Sequence, residues 1–205
     1  ETLAPYPNVV VINEDVLKAD LPAIIEQECL LPDGTLAEQV RILGNLPYYI
    51  TTPILMKLLE ERVGVASITI MVQKEVAQRI AAPPGNRTYG ALSVAVQYFC
   101  EIDYVCTVPK EAFFPSPKVD SAVIHLRLRA KPPVELISEK LFFECVKKGF
   151  GQRRKTLHNA LTGIGDLDKE ATGKLLQDCG IDPVRRAETL SLDEFAALAN
   201  RLAEP

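Results

Sequence analysis

Apolar positions follow two regimes along this chain. Up to about residue 130, short continuous apolar runs alternate with stretches at helical spacing. Asn8-Val9-Val10-Val11-Ile12, Val40 to Leu43 and Ser67 to Val72 read as strands of the kind buried in a parallel sheet. Tyr104 to Val108 and Ala122 to Leu128 are two more, and the second alternates towards its end. Between them Thr52-Pro53 predicts a cap and a first-turn proline, followed by Ile54, Leu55, Leu58 and Leu59 at helical spacing. Gln73 to Ala82 predicts a second helix, stopped by Pro83-Pro84-Gly85, and Gly90 to Phe99 a third. Strands alternating with helices predict an α/β sheet.

The second regime begins after Ala130-Lys131-Pro132-Pro133, a stiff spacer. No strand is predicted beyond it. Helices are expected at Ser138 to about Phe150, about Arg153 to Leu161, and Leu167 to Cys179. Gly180 is placed as a helix stop with Ile181 as its apolar contact, and Asp182-Pro183 starts a short helical turn. Ser191-Leu192-Asp193-Glu194 is a capping box, with Leu190 and Phe195 as its hydrophobic staple, and opens a final helix. The expected division is 1–131, an α/β portion, and 132–205, a small all-α domain.

Composition narrows the function classes. The 205 residues are 47% hydrophobic and 24% charged, as in a globular protein, and are enough for one large or two small domains. A net charge of −4 requires any nucleic-acid contact to be a local patch. Five scattered cysteines without C-x-x-C and only two histidines point away from a disulfide framework and from a metal site. A reducing, cytoplasmic setting is expected. Lys147, Lys148, Arg153, Arg154 and Lys155 lie within nine residues with no acid among them, which suits RNA phosphates, although such runs are often only a solvated helix face.

Asn45-Leu46-Pro47-Tyr48 follows the second strand directly. The sequence suits holding a planar amino group for methylation. The Asn45 side-chain oxygen and the Leu46 carbonyl can accept the two hydrogens of an adenine amine. Pro47 fixes φ and aims that carbonyl, and Tyr48 offers a face for a flipped base. A strand followed by a proline turn, with Tyr48 in the core, is the plain alternative. A glycine-rich loop after the first strand, as a nucleotide-like cofactor would require, is missing. Gly149-Phe150-Gly151 and Gly163-Ile164-Gly165 follow helices, so neither serves as one.

Seven segments in order carry a family resemblance. They are Glu14-Asp15-Val16-Leu17, Gly44 to Ile50, Gln73-Lys74-Glu75-Val76, Tyr89 to Val94, Ala112 to Val123, Phe150 to Thr156, and Arg186 to Ser191. The chain resembles the bacterial small-subunit (16S) rRNA adenine N6,N6-dimethyltransferases, the kasugamycin-resistance methyltransferases. The resemblance implies a partial Rossmann-like class I methyltransferase sheet, its first strands missing, followed by the small helical domain. It implies S-adenosylmethionine as donor, and two adjacent adenines in a 16S rRNA hairpin of the immature small ribosomal subunit as targets. Asp15 would hold the donor's adenine amino group and Asn45 would stand between donor and target. Phe113 would stack on the target opposite Tyr48. Lys118 and Asp120 read as a surface pair. Most of the donor site would precede Glu1, so the chain as given is expected to be cofactor-incompetent and inactive. With no native neighbour, Val9–Ile12 is expected to be displaced or paired with another chain, and Val40–Leu43 to show an apolar edge. A macrolide-resistance 23S rRNA methyltransferase and a non-catalytic ribosome-assembly factor are the alternatives.

Overall fold

The computed structural model describes residues 3, 5–31, 33–37 and 39–204. Its centre is a four-stranded mixed sheet of β1 (Arg41–Asn45), β2 (Ser67–Gln73), β3 (Cys100–Val108) and β4 (Ser121–Leu128), in the order β1-β2-β4-β3. β1 and β2 run parallel, and β4 is antiparallel to both β2 and β3. β2 is paired on both sides. Ile68, Ile70 and Val72 are buried in the sheet core with Ile124 and Leu126 of β4.

Helices α2 (Thr51–Glu60), α3 (Lys74–Ile80) and α4 (Ala91–Phe99) cover this sheet. Ile54, Leu55, Leu58 and Leu59 of α2 enter its core at the spacing the sequence predicts. The start of α2 differs. Its cap residue is Ile50, with no side-chain cap, and Thr51 instead donates its hydroxyl to the Pro47 carbonyl at 3.1 Å. Thr52-Pro53 therefore sits inside the first turn. A helix the pattern did not predict, α1 (Leu21–Glu28), starts where Asp20 accepts a hydrogen bond from the Ala23 amide.

Val9–Ile12 joins no strand, in keeping with the displacement expected for it, and its side chains are exposed. It lies on no sheet edge, and β1 has no partner on its outer side among the described residues; Leu43 there is 80% exposed. β3 is longer than Tyr104–Val108, beginning at Cys100 directly after α4. Glu101 and Asp103 mask that extension in the sequence, because their charges meet Arg127 and Arg129 across the ladder and on its edge. A bulge between Tyr104 and Cys106 interrupts this edge strand, a common means of blunting it.

The second half holds α5 (Glu139–Gly151), α6 (Leu157–Leu161), α7 (Lys169–Asp178) and α8 (Leu192–Ala203), with no strand among the described residues. α6 is shorter than Arg153–Leu161. Residues 152–155 form a turn, closed by the Lys155 amide on the Gln152 carbonyl, so Lys147 and Lys148 lie on α5 whereas Arg153, Arg154 and Lys155 lie on no helix face. Asp182-Pro183 also forms a turn, held by the Asp182 carboxylate on the Val184 amide. Gly180, at φ 67°, ends α7 as its left-handed backbone allows. Its amide reaches Gln177 and the amide of buried Ile181 reaches Leu176, which satisfies two orphan carbonyls. The helical core also takes in Tyr89, Val94 and Tyr98 from the first half, so the packing runs across Lys131.

The capping box of α8 is formed as predicted: Ser191 and Glu194 exchange backbone–side-chain bonds. Glu194 also takes both guanidinium nitrogens of Arg185. The Arg185 bond is the main reason that its carboxyl lies below the usual carboxylate range. The folded state therefore keeps Glu194 ionised at a pH where the unfolded chain has taken up the proton. The resulting stability is present above the usual carboxylate range and is lost as pH falls through the folded value. Glu194→Ala should cost about 1–2 kcal/mol near pH 7 in denaturant unfolding, given the partial exposure of the pair, and the difference should shrink as pH falls through the lowered value of the folded carboxyl.

Candidate functional site

The site is built where the parallel strands end. In the β1–β2 register Asn45 faces Met71, and the Leu46 amide continues the pairing to the Met71 carbonyl at 3.3 Å. Gly44 makes room for the next step: a Cβ there would stand 3.0 Å from the Leu46 side chain, which folds back over it. Asn45 is thus the last ladder residue and is exposed at the carboxyl edge of the sheet. Nucleotide-like ligands bind α/β sheets at such edges.

Hydrogen bonding separates the neighbouring acceptors. The Pro47 carbonyl takes two bonds, from the Ile50 amide and the Thr51 hydroxyl. Among the described residues, the Asn45 side chain and the Leu46 carbonyl take none. The two acceptors suited to an amine are therefore the two left unengaged. Tyr48 is half-buried, and its hydroxyl lies 2.6 Å from the Ser121 hydroxyl at the start of β4. Ser121 is fully buried, so this bond satisfies it and fixes the tyrosine ring over the end of β2. Tyr49, by contrast, is 83% exposed.

Phe113 lies on the loop between β3 and β4, after a 3-10 turn at Lys110–Ala112. It is half-buried, whereas Phe114 beside it is fully exposed and precedes a cis peptide bond to Pro115. Asp120 anchors this loop. Its carboxylate accepts the Lys110 amide at 3.2 Å and faces the Lys74 ammonium at 3.7 Å, while its carbonyl accepts the Lys74 amide. Asp120 is therefore paired with Lys74 and not with Lys118. Ser121 and Lys74 escaped the sequence reading. A hydroxyl opening an apolar strand was the only signal for the first.

Asp15 caps a turn: its carboxylate accepts the Leu17 amide at 3.0 Å and its carbonyl the Lys18 and Ala19 amides. No hydrogen bond joins it to Asn45. The basic segment divides. Lys147, Arg154 and Lys155 are exposed and form no ion pair among the described residues. Lys148 donates to the Gly163 carbonyl. Arg153 donates to the Arg87 and Tyr89 carbonyls at 3.0 and 2.9 Å and faces Glu188 at 3.9 Å. The Glu188 carbonyl in turn accepts the Gly85 amide. Arg153 thus braces the 85–89 loop against the helical half.

The family model for ribosomal RNA adenine dimethylase matches residues 1–204. The ribosomal RNA small subunit methyltransferase A of Bacillus cytotoxicus is 52% identical over 205 residues, 98% of this chain and 68% of that protein. The protein of the same name from Bacillus mycoides matches to the same extent. The chain belongs to the ribosomal RNA adenine dimethylase family. Its fold is shared with a dimethyladenosine transferase from Plasmodium falciparum (TM-score 0.74, 22% identity, 96% of this chain and 73% of that one). It is shared also with the 23S rRNA methyltransferase ErmE (TM-score 0.65, 24% identity, 99% and 75%).

Membership makes this a methyltransferase of ribosomal RNA adenines with S-adenosylmethionine as donor. The candidate site presents two unengaged acceptors and a fixed aromatic ring at the carboxyl edge of β1. Among the described residues, no helix is long and apolar enough to cross a membrane.

The Arg153 brace separates it from its neighbour. Arg153→Gln should remove about 1–2 kcal/mol of stability by leaving the loop carbonyls unpaired. Arg154→Gln should stay within about 0.5 kcal/mol, as for an exposed side chain. Paired chemical denaturation of the two variants checks this.

Proposed function

We propose that this family member dimethylates the N6 amino groups of two adjacent adenines in a 16S rRNA hairpin loop of the immature small subunit. The observation that carries the reading is the pair of unengaged acceptors, the Asn45 side chain and the Leu46 carbonyl, beside a ring that Ser121 fixes. The small-subunit target is supported by the names of the 52% identical relatives.

The nitrogen on adenine C6 is a poor nucleophile because its lone pair is delocalised into the ring. The Asn45 oxygen and the Leu46 carbonyl would each accept one amine hydrogen and draw the nitrogen out of conjugation. When bound, the donor would supply an electrophilic methyl and depart as the neutral thioether, and the proton lost by the amine would leave to solvent. No strong base is needed, since the amine carries little basicity and becomes acidic only as it gains the methyl. The chain's share is alignment and polarisation. Tyr48 would stack on one face of the flipped base and Phe113 on the other.

Asp15 would offer its remaining carboxylate oxygen to the donor's adenine amino group, and Asn45 would stand between donor and target. Lys147, Arg154 and Lys155, flanked by Lys148 and Arg153, would face rRNA phosphates and position the RNA without reading its sequence. In this reading residues 1–131 carry the chemistry and residues 132–205 present the cations.

Methyl transfer to a 16S-derived hairpin, read by mass spectrometry of nucleosides, tests the proposal. The enzyme should yield N6,N6-dimethyladenosine at both adjacent positions. Asn45→Ala should lower kcat by about 10²–10³-fold, as for loss of one positioned polar group worth about 2–4 kcal/mol. Tyr48→Ala and Phe113→Ala should each weaken RNA binding by about 1–3 kcal/mol, while Phe114→Ala leaves it near wild type. Preferential methylation of a 23S hairpin, or full activity of Asn45→Ala, would overturn the reading.

A further inference from the structure

A second recognition feature lies immediately beside the clamp. A cavity of about 510 Å³ opens at the end of β2, lined by Gln73, Lys74, Gln78, Lys110, Lys118 and Asp120. It adjoins the clamp through the sheet itself. Gln73 is the ladder partner of Ser121, the residue that holds the Tyr48 hydroxyl, and Asp120 precedes Ser121 in the chain.

The charges on this cavity do not balance. Asp120 is already engaged by the Lys74 ammonium and the Lys110 amide. Glu75, also on the cavity wall, is paired with Arg79 at 3.1 Å. Lys110 and Lys118 form no ion pair among the described residues, and both are exposed. Two uncompensated ammonium groups therefore face one polar cavity in a protein whose net charge is −4. They also flank Phe113 on a single loop, which the Ser116 hydroxyl holds closed by donating to the Lys110 carbonyl.

We propose that Lys110 and Lys118 bind the phosphodiester adjoining the target adenosine. This site is separate from the basic residues at 147–155. A base held at Tyr48 carries its own backbone with it. The cavity joined to Tyr48 through Ser121 and Gln73 offers a place for the adjoining phosphate, and Lys110 and Lys118 are among the residues that line it. The inference rests on the clamp reading above: the loop that brings an aromatic face to the base brings a cation on either side of it to the backbone. The pairing positions the nucleotide and carries no base information.

The test is a double-substitution cycle between protein and RNA. The probe is the 16S-derived hairpin, with or without one uncharged methylphosphonate linkage next to the target adenosine. Wild-type protein should bind about 5–10-fold more weakly after that replacement. Lys110→Ala/Lys118→Ala should bind the native hairpin more weakly, with a salt slope smaller by about 0.7 for each phosphate no longer neutralised. Its affinity should then fall less than twofold on the methylphosphonate. Lys118→Arg should keep most of the affinity that Lys118→Ala forfeits. Both lysines are exposed, so the variants should fold, and unchanged thermal unfolding confirms it. Independent, additive effects of the two changes would overturn the inference while leaving the clamp reading intact. Failure of the wild-type protein to bind the native hairpin would overturn both.

Discussion

Strand β2 is the constraint on which the rest depends. It is parallel to β1 on one side and antiparallel to β4 on the other. Two different chain directions therefore meet at its carboxyl end. β1 delivers residues as it leaves the sheet, namely Asn45 to Tyr48. β4 delivers residues as it enters, namely Asp120 and Ser121. Only a mixed sheet brings the end of one neighbour and the beginning of the other to a single edge. The bond between Tyr48 and Ser121 closes that edge across 73 residues of sequence. Burial of Ile68, Ile70 and Val72 fixes the register, since a slip of one residue would turn this apolar set to the wrong face.

Much of this was legible because it rests on local chemistry. The runs at β1, β2 and β4, the capping box of α8 and the glycine stop of α7 each follow from residues within a few positions of one another. Val9–Ile12 has strong strand propensity but joins no strand, in keeping with the displacement expected for it. The misreadings share a different cause. The early part of β3 carries Glu101 and Asp103, whose partners Arg127 and Arg129 are distant in sequence. α1 went unseen although Asp20 and Pro22 are ordinary start signals, because its short apolar stretch resembles a loop edge.

The site shows the same division. The tetrapeptide that begins at the last residue of β1 displays its own acceptors, so these are legible from neighbouring residues alone. What fixes Tyr48, and what Arg153 does, depends on atoms contributed from far along the chain. Arg153 sits in a basic run, and its charge alone suggested phosphate binding. Its guanidinium Nη2 donates to two carbonyls of the 85–89 loop. A guanidinium, with its five donors, suits such bracing as well as it suits phosphate. Charge in a sequence marks where cations are, and geometry decides what they hold.

That brace bears on how the two halves act together. Arg153 and the Gly85–Glu188 bond tie one side of the junction. On another side Glu139, in the first turn of α5, accepts the Arg62 guanidinium at 2.5 Å and the Tyr98 hydroxyl at 2.9 Å. Arg62 stands in the left-handed region at φ 47°, a conformation costing on the order of 1 kcal/mol for a residue with a Cβ. That cost is tolerated where the turn after α2 must aim a cation across the junction. Between these ties α4 shares the core of the helical half through Val94 and Tyr98. The exposed cations at 147–155 are consequently held at a set distance from the end of β2. A helical appendage on a loose tether would bind RNA without aligning it. Here the interactions that bind the halves together are also what would hold RNA phosphates and the amine clamp in one frame.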